Sequence, residues 1–338
     1  MNNRVILKIK AGSHLYGLNT ETSDEDYIGV YLSTPDEIYG LQKSEIVDES
    51  VVSKQDNGRN ASDAVDCKYY ELRKFCTLAL TANPTILELL FARKENIIIC
   101  DEYGQMLIDN RDKFLSTRVK HTYLGYAHSQ VAKSQVKSEN LRILFKARDI
   151  LKECCQNAML YNLTYYEEGE QLVVDKYEDI IKIDGSFPNY VIIADLKLNN
   201  QKIKDVVAKI EFRINNATNR ADGMLQHGLD YKFICHTYRL IKEGEELLKT
   251  GNLKFPLKDR DLLMEIKLGK IKPTEVMDLI GDLEETKAEW EKYDLLPRSS
   301  DFKGVNKMVI DMYKKYVTKE VMMDRLKNMC ENDCEDDD

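Results

Sequence analysis

Two aspartates separated by a single residue, Asp24 and Asp26, follow a Gly-Ser pair, Gly12 and Ser13, within residues 12–31, GSHLYGLNTETSDEDYIGVY. Carboxylates this close repel each other unless a cation lies between them, so the pair is a candidate ligand set for a hard divalent ion such as Mg²⁺. Glycine and serine carry no bulky side chain. Backbone N–H groups and a hydroxyl can therefore face an anion at the start of a helix there, and phosphate is the natural candidate. Acids aimed at a phosphate-cradling turn are what Mg²⁺-dependent phosphoryl or nucleotidyl transfer requires, with two ions about 3.5 to 4 Å apart on the attacking and leaving oxygens. Such chemistry needs a third carboxylate on the acceptor side. Asp66, between apolar neighbours in AVDCKYY, is preferred over Asp63, because an acid inside a strand pattern is costly unless it is used. SDED alone is more often a solvated loop with a helix cap; its combination with Gly12, Ser13, flanking strands and Asp66 makes it a site.

Those groups must be positioned by strands. Residues 4–10 alternate charged side chains with Val5, Leu7 and Ile9, the period of a half-buried strand that should end at Gly12-Ser13. Residues 27–32, YIGVYL, read as a second strand, with Asp24 and Asp26 at its opening on one face and Glu25 on the other. A third strand is expected over 64–70. Between them, residues 33–63 are turn-rich, with a short helix near 35–39 and a mobile loop around 53–62 that either covers the substrate or merely connects. Leu72, Phe75, Cys76 and Ala79 recur at helical spacing, Asn83-Pro84 breaks that pattern before a second helix, TILELLFA, and residues 95–100, ENIIIC, read as a buried strand.

The order strand, Gly-Ser, Asp-x-Asp, strand and a lone later Asp resembles the DNA polymerase beta nucleotidyltransferase superfamily. Within it, GSHLYGLNTETSDEDYIGVY, YYELRKFCTLALTANPTILELLF and KFICHTYRLIKEGEELLKTG are similar to the predicted nucleotidyltransferase family associated with RNA repair, over most of residues 5–270. The resemblance implies an α/β (α+β) fold, a polymerase-beta-like nucleotidyltransferase sheet domain over 1–110 followed by a mostly helical substrate-binding domain over 111–330. It implies that Gly12 and Ser13 hold the triphosphate, that Asp24 and Asp26 bind two Mg²⁺ ions, and that Asp66 binds the catalytic metal near the acceptor hydroxyl. The implied reaction transfers NMP from ATP or another NTP to a hydroxyl, an RNA (tRNA-like) end by association, with release of pyrophosphate. A protein or small-molecule hydroxyl, or a catalytically silent nucleotide-sensing module, are the alternatives. Glu25 departs from the superfamily, which more often has an apolar residue there.

Beyond residue 111 the texture is helical. Tyr126, Gln130 and Lys133 share one face, solvated or in contact with substrate, and Arg142, Lys146 and Arg148 lie either within reach of a phosphate or on a solvated face. Residues 161–226 read as a small irregular sheet or extended insertion, in which Gly185-Ser186 is only a turn. In the helix expected over 230–249, Phe233, Leu240, Ile241 and Leu248 form an apolar stripe, while Lys232, His236, Arg239 and Glu243 fall on another face. Two cations and a histidine in a row suit a nucleotide's triphosphate or the acceptor's phosphate, or form a solvated face; His236 is equally a packed histidine. Gly251 should close this helix, and amphipathic helices are expected over 257–268, 273–293 and 304–327. The acidic end, 331–338, is expected to be disordered.

Composition sets bounds. The 338 residues suffice for about two domains with real cores. With 43% hydrophobic residues and no apolar run near the length of a membrane span, a soluble, cytoplasmic protein without a membrane partner is expected. The start flows directly into the first strand, so no signal peptide is expected. The eight cysteines lack zinc spacing and suit free thiols in a reducing compartment. A net charge of −9 argues against non-specific duplex DNA binding and mildly favours a protein or small acceptor, although 49 Lys and Arg leave room for a local basic groove.

Overall fold

The computed structural model describes residues 3–335 except 22, 42–43, 52–64, 169, 185–189 and 228–229; for 216–227, 273 and 323–335 it describes the backbone alone. The expected loop around 53–62, Asp63 and the Gly185-Ser186 turn lie outside the described residues.

The chain begins β1 (Arg4–Lys10), α1 (Gly12–Tyr16), β2 (Glu25–Leu32), α2 (Pro35–Tyr39), β3 (Ile46–Asp48), β4 (Val65–Glu71), α3 (Leu72–Leu80), α4 (Pro84–Leu90), β5 (Ile97–Cys100) and α5 (Glu102–Asp109). It continues with α6 (Val119–Lys152), β6 (Thr164–Glu167), β7 (Glu170–Val173), β8 (Lys182–Asp184), β9 (Tyr190–Ile193), β10 (Leu196–Leu198), α7 (Ile203–His227), α8 (Tyr231–Thr250), α9 (Arg260–Lys267), α10 (Pro273–Ile280), α11 (Leu283–Trp290) and α12 (Phe302–Glu335). The result is a mixed α/β protein, an N-terminal sheet unit followed by a mostly helical region.

The main sheet runs β3-β4-β2-β1-β5. Its central pair, β2 and β4, is parallel, and the other neighbours are antiparallel. One face of β2 carries Ile28, Val30 and Leu32 into the main core with the buried face of α3, formed by the expected Leu72, Phe75, Cys76 and Ala79. The other carries Tyr27 and Tyr31, which join Cys67 and Tyr69 of β4 in a separate small cluster. Gly29 makes that cluster possible, because a Cβ there would come within 2.5 Å of the Tyr69 ring.

Two cores organise the rest. The first is continuous from the sheet through the start of α6 into α8 and onward to Tyr316. It includes Val276, Ile280, Leu283 and Trp290 and also Val305, Met308, Val309 and Met312, as the helical spacing predicts. The second joins the far half of α6, at Leu141, Leu144 and Leu151, to β9, β10 and α7. Of the two alternatives for segment 161–226, the sheet is the one found, as two short antiparallel sheets, and a 25-residue helix follows them.

Three further expectations are corrected. The IIIC run is an edge strand with Ile98 52% and Ile99 39% exposed, not a buried one. It pairs with β1 on one side only, so its apolar run reflects strand propensity rather than burial. The helix expected over 273–293 is two, divided at Gly281 with φ +67°. The acidic end is helical through Glu335 as a continuation of α12, and residues 336–338 lie outside the described ones.

Candidate active site

β2 and β4 deliver the acids. In their parallel register Asp26 is the partner of Asp66, so two carboxylates stand side by side on adjacent strands. Asp24 precedes β2 by one residue and is exposed. Glu25 faces the opposite way, where it accepts hydrogen bonds of 2.6 Å from Lys10 Nζ and from the Tyr27 hydroxyl, and the Lys10 bond holds its carboxyl below the usual range.

α1 is placed against this pair by backbone. Ala11 N–H donates to the Asp26 carbonyl at 2.8 Å, and Gly12 adopts φ +57° beside the Asp26 side chain. A Cβ on residue 12 would lie 2.2 Å from Asp26 Oδ2, so only glycine fits. The far end of α1 closes on Gly17, and α9 grips it: Arg260 Nε donates to the Gly17 carbonyl at 2.7 Å and Lys267 Nζ to the Leu18 carbonyl at 2.6 Å. Neither cation was singled out in the sequence. Their partners lie 243 and 249 residues away, and no local pattern records that.

The electrostatics mark the same spot. The Asp26 carboxyl is pushed above its usual range, first by burial and then by the charges of Asp66 and Asp24, against the pull of Lys232 and His14. His14 is driven below the usual imidazole range, chiefly by burial and by the Lys10 charge. Lys232, near the start of α8, is therefore close enough for its charge to act on the Asp26 carboxyl. His14, which sequence reasoning passed over, joins them from α1. Asp66 is held at its outer side, where Ser50 Oγ donates to Oδ1 at 3.0 Å and Lys68 Nζ lies 3.1 Å from the same oxygen.

Arg239 is placed elsewhere. It is 6% exposed and its Nη1 bonds both Glu88 and Glu243, at 2.6 and 2.7 Å, so the polar stripe read on α8 is solvated only at its Lys232 end. His236 is half-buried with Nδ1 3.5 Å from Arg239 Nη2. Arg142, Lys146 and Arg148 are engaged with Glu139, Asp179 and Asp149 along the outer half of α6.

Among the described residues, no three His, Cys, Asp or Glu side chains come together closely enough to hold a metal ion. The donor chemistry nonetheless suits a hard divalent cation. Asp26 and Asp66 offer carboxylate oxygens in register whose mutual repulsion a cation would relieve, and Gly12 leaves open the space beside Asp26 Oδ2 that any Cβ would fill.

The paired acids thus stand on adjacent strands beside the Gly12-Ser13 turn. Residues 1–153 match the model of a family described as the RNA repair pathway DNA polymerase beta family. An uncharacterized 38.9 kDa protein of Enterobacteria phage T4, encoded in the nrdC-mobD intergenic region, is 26% identical over 302 residues, 83% of this chain and 87% of that protein. The crystal structure of a nucleotidyltransferase-like protein from Exiguobacterium sibiricum 255-15 aligns over 86% of this chain and 72% of that one, at 10% identity and a TM-score of 0.22, too low to bear on the fold. No helix among the described residues is long and apolar enough to cross a membrane.

Proposed function

We propose that the chain is a Mg²⁺-dependent nucleotidyltransferase that moves NMP from an NTP to an acceptor hydroxyl and releases pyrophosphate, with an RNA end as the acceptor. The observation that carries this reading is the register of Asp26 with Asp66 across β2 and β4, beside a turn where residue 12 must be glycine. The RNA-repair description of the family that matches residues 1–153 supports the choice of acceptor.

In this reading Asp24, Asp26 and Asp66 hold two Mg²⁺ ions, which when bound stabilise charge on the transferring phosphoryl group and lower the pKa of the acceptor hydroxyl. The chain's own groups do the rest. Gly12 and Ser13 present backbone and hydroxyl donors to the triphosphate, and Lys232 neutralises its outer oxygens. Asp66, on the strand beyond Asp26, defines the side from which the acceptor enters. Lys68 and Ser50, which bond Asp66 in the structure, would give up that carboxylate to a bound ion.

A second reading keeps the chemistry and makes the acceptor a protein or small-molecule hydroxyl; the net charge of −9 favours it. Transfer from α-labelled NTPs in Mg²⁺ to host RNA and host protein separates the two. Label in RNA that depends on Asp24 and Asp26 supports the first, label in protein the second. No label in either fraction, while NTP still binds, contradicts transfer to a macromolecule.

A further inference from the structure

Behind α1 lies a buried polar network that the proposed chemistry does not use. It joins Tyr16 of α1, Glu88 of α4, and Arg239 and Glu243 of α8, all buried, with the buried ring of Tyr123 of α6 alongside. Arg239 Nη1 donates to Glu88 Oε1 at 2.6 Å and to Glu243 Oε1 at 2.7 Å. The Tyr16 hydroxyl donates to Glu88 Oε2 at 2.6 Å, and the guanidinium carbon lies 4.1 Å from the centre of the Tyr16 ring. Two carboxylates share one guanidinium, and burial pushes the Glu243 carboxyl above its usual range.

The placement of this network matters more than its strength. Tyr16 ends the single turn of helix whose first residues are Gly12 and Ser13, so whatever fixes its ring fixes that turn. Arg239 stands on the same helix as Lys232, seven residues further on, which is about two turns. One guanidinium therefore ties the helix of the Gly-Ser turn to the helix of the cation that acts on Asp26. On the basis of the transfer reaction proposed above, we propose that Arg239 is a positioning residue. Through Tyr16 and Glu88 it holds the Gly12-Ser13 turn in place against Asp26 and Lys232, and it does not itself contact phosphate.

The test compares the full-length wild type with Arg239→Lys, Tyr16→Phe and Lys232→Ala by amide hydrogen exchange and by the kinetics of pyrophosphate release. Lysine keeps the charge but cannot bridge two carboxylates as a planar fork does, and phenylalanine removes only the hydroxyl bonded to Glu88. In both variants, exchange over residues 12–18 is expected to rise about tenfold while amides at the centre of β1 and β2 keep their rates. In both, kcat is expected to fall about tenfold or more, with KM for NTP within about twofold, because misplacement acts on the reacting geometry. Lys232→Ala is expected to raise KM and leave exchange over 12–18 unchanged. Unchanged exchange over 12–18 in both positioning variants overturns the proposal, as does an equal rise throughout the sheet. A raised KM in Arg239→Lys with undisturbed α1 identifies a direct phosphate contact and overturns it too. If the wild type releases no pyrophosphate with any NTP, the transfer reaction fails, and the exchange measurement alone decides whether Arg239 positions α1.

Discussion

Two clusters of carboxylates flank α1, and they are built in opposite ways. Asp26 and Asp66 stand in register at the opening of the sheet, and Asp26 titrates high because it is partly buried beside charges of its own sign. Glu88 and Glu243 are buried completely, but a guanidinium lies between them and the Tyr16 hydroxyl caps one of them. Repulsion is only partly relieved at the opening of the sheet, where Lys68 pairs with Asp66 and Lys232 pulls on Asp26, and it is compensated by a shared guanidinium in the buried network. A polar stripe in the sequence does not distinguish the two; burial and the partner from another element do.

The sharpest break in that contrast is at Asp26. Asp26→Asn should reduce transfer by about 10³-fold or more, since it removes a metal ligand, while leaving the fold intact. Its effect on stability has a definite sign. The folded carboxyl binds its proton more tightly than an unfolded one, so this group stabilises fully below about pH 4 and that contribution is lost as pH rises through the elevated folded value. In urea unfolding without divalent ions, the variant should match the wild type in acid and exceed it at neutral pH. A wild type more stable than Asp26→Asn at neutral pH would contradict the repulsion.

The opposite experiment belongs to the buried cluster. Arg239→Met leaves two buried carboxyl groups without their cation and should cost about 3–5 kcal/mol. A loss below about 1 kcal/mol in urea unfolding would show that the network is not compensated by Arg239.

Gly12→Ala sits between the two regions. Its Cβ would meet Asp26 Oδ2 at 2.2 Å in a backbone with φ +57°, so about 1–3 kcal/mol of stability should be lost together with transfer. Full activity in this variant would mean that α1 is not held against the acids. The smallest effect is expected on the far face of the sheet. Tyr27→Phe removes one hydrogen bond to the half-exposed Glu25 and should change melting by less than about 1 kcal/mol and transfer hardly at all.

What the sequence revealed follows the range of the interactions involved. Asp26, Gly12 and the strands on either side were legible because alternation, turn chemistry and a two-residue spacing are local. The buried positions of α3 and α12 were legible for the same reason. The role of Arg239 was not, because the residue that buries it, Glu88, lies 151 positions earlier, and on a helical wheel Arg239 falls in line with the exposed Lys232. The exposure of β5 was hidden by an apolar run that reads alike at the centre and at the edge of a sheet. The grip of α9 on Gly17 and Leu18 likewise depends on contacts with no local signature.

Whether the paired acids hold metal with nucleotide is the central claim, and counting ions tests it most directly. Mn²⁺ bound in the presence of a non-hydrolysable NTP, followed by electron paramagnetic resonance, should fill two sites in the wild type, and at least one of them should be lost in Asp26→Asn. The same Mn²⁺ occupancy in both proteins would contradict the assignment of Asp26 and, with it, the proposed reaction.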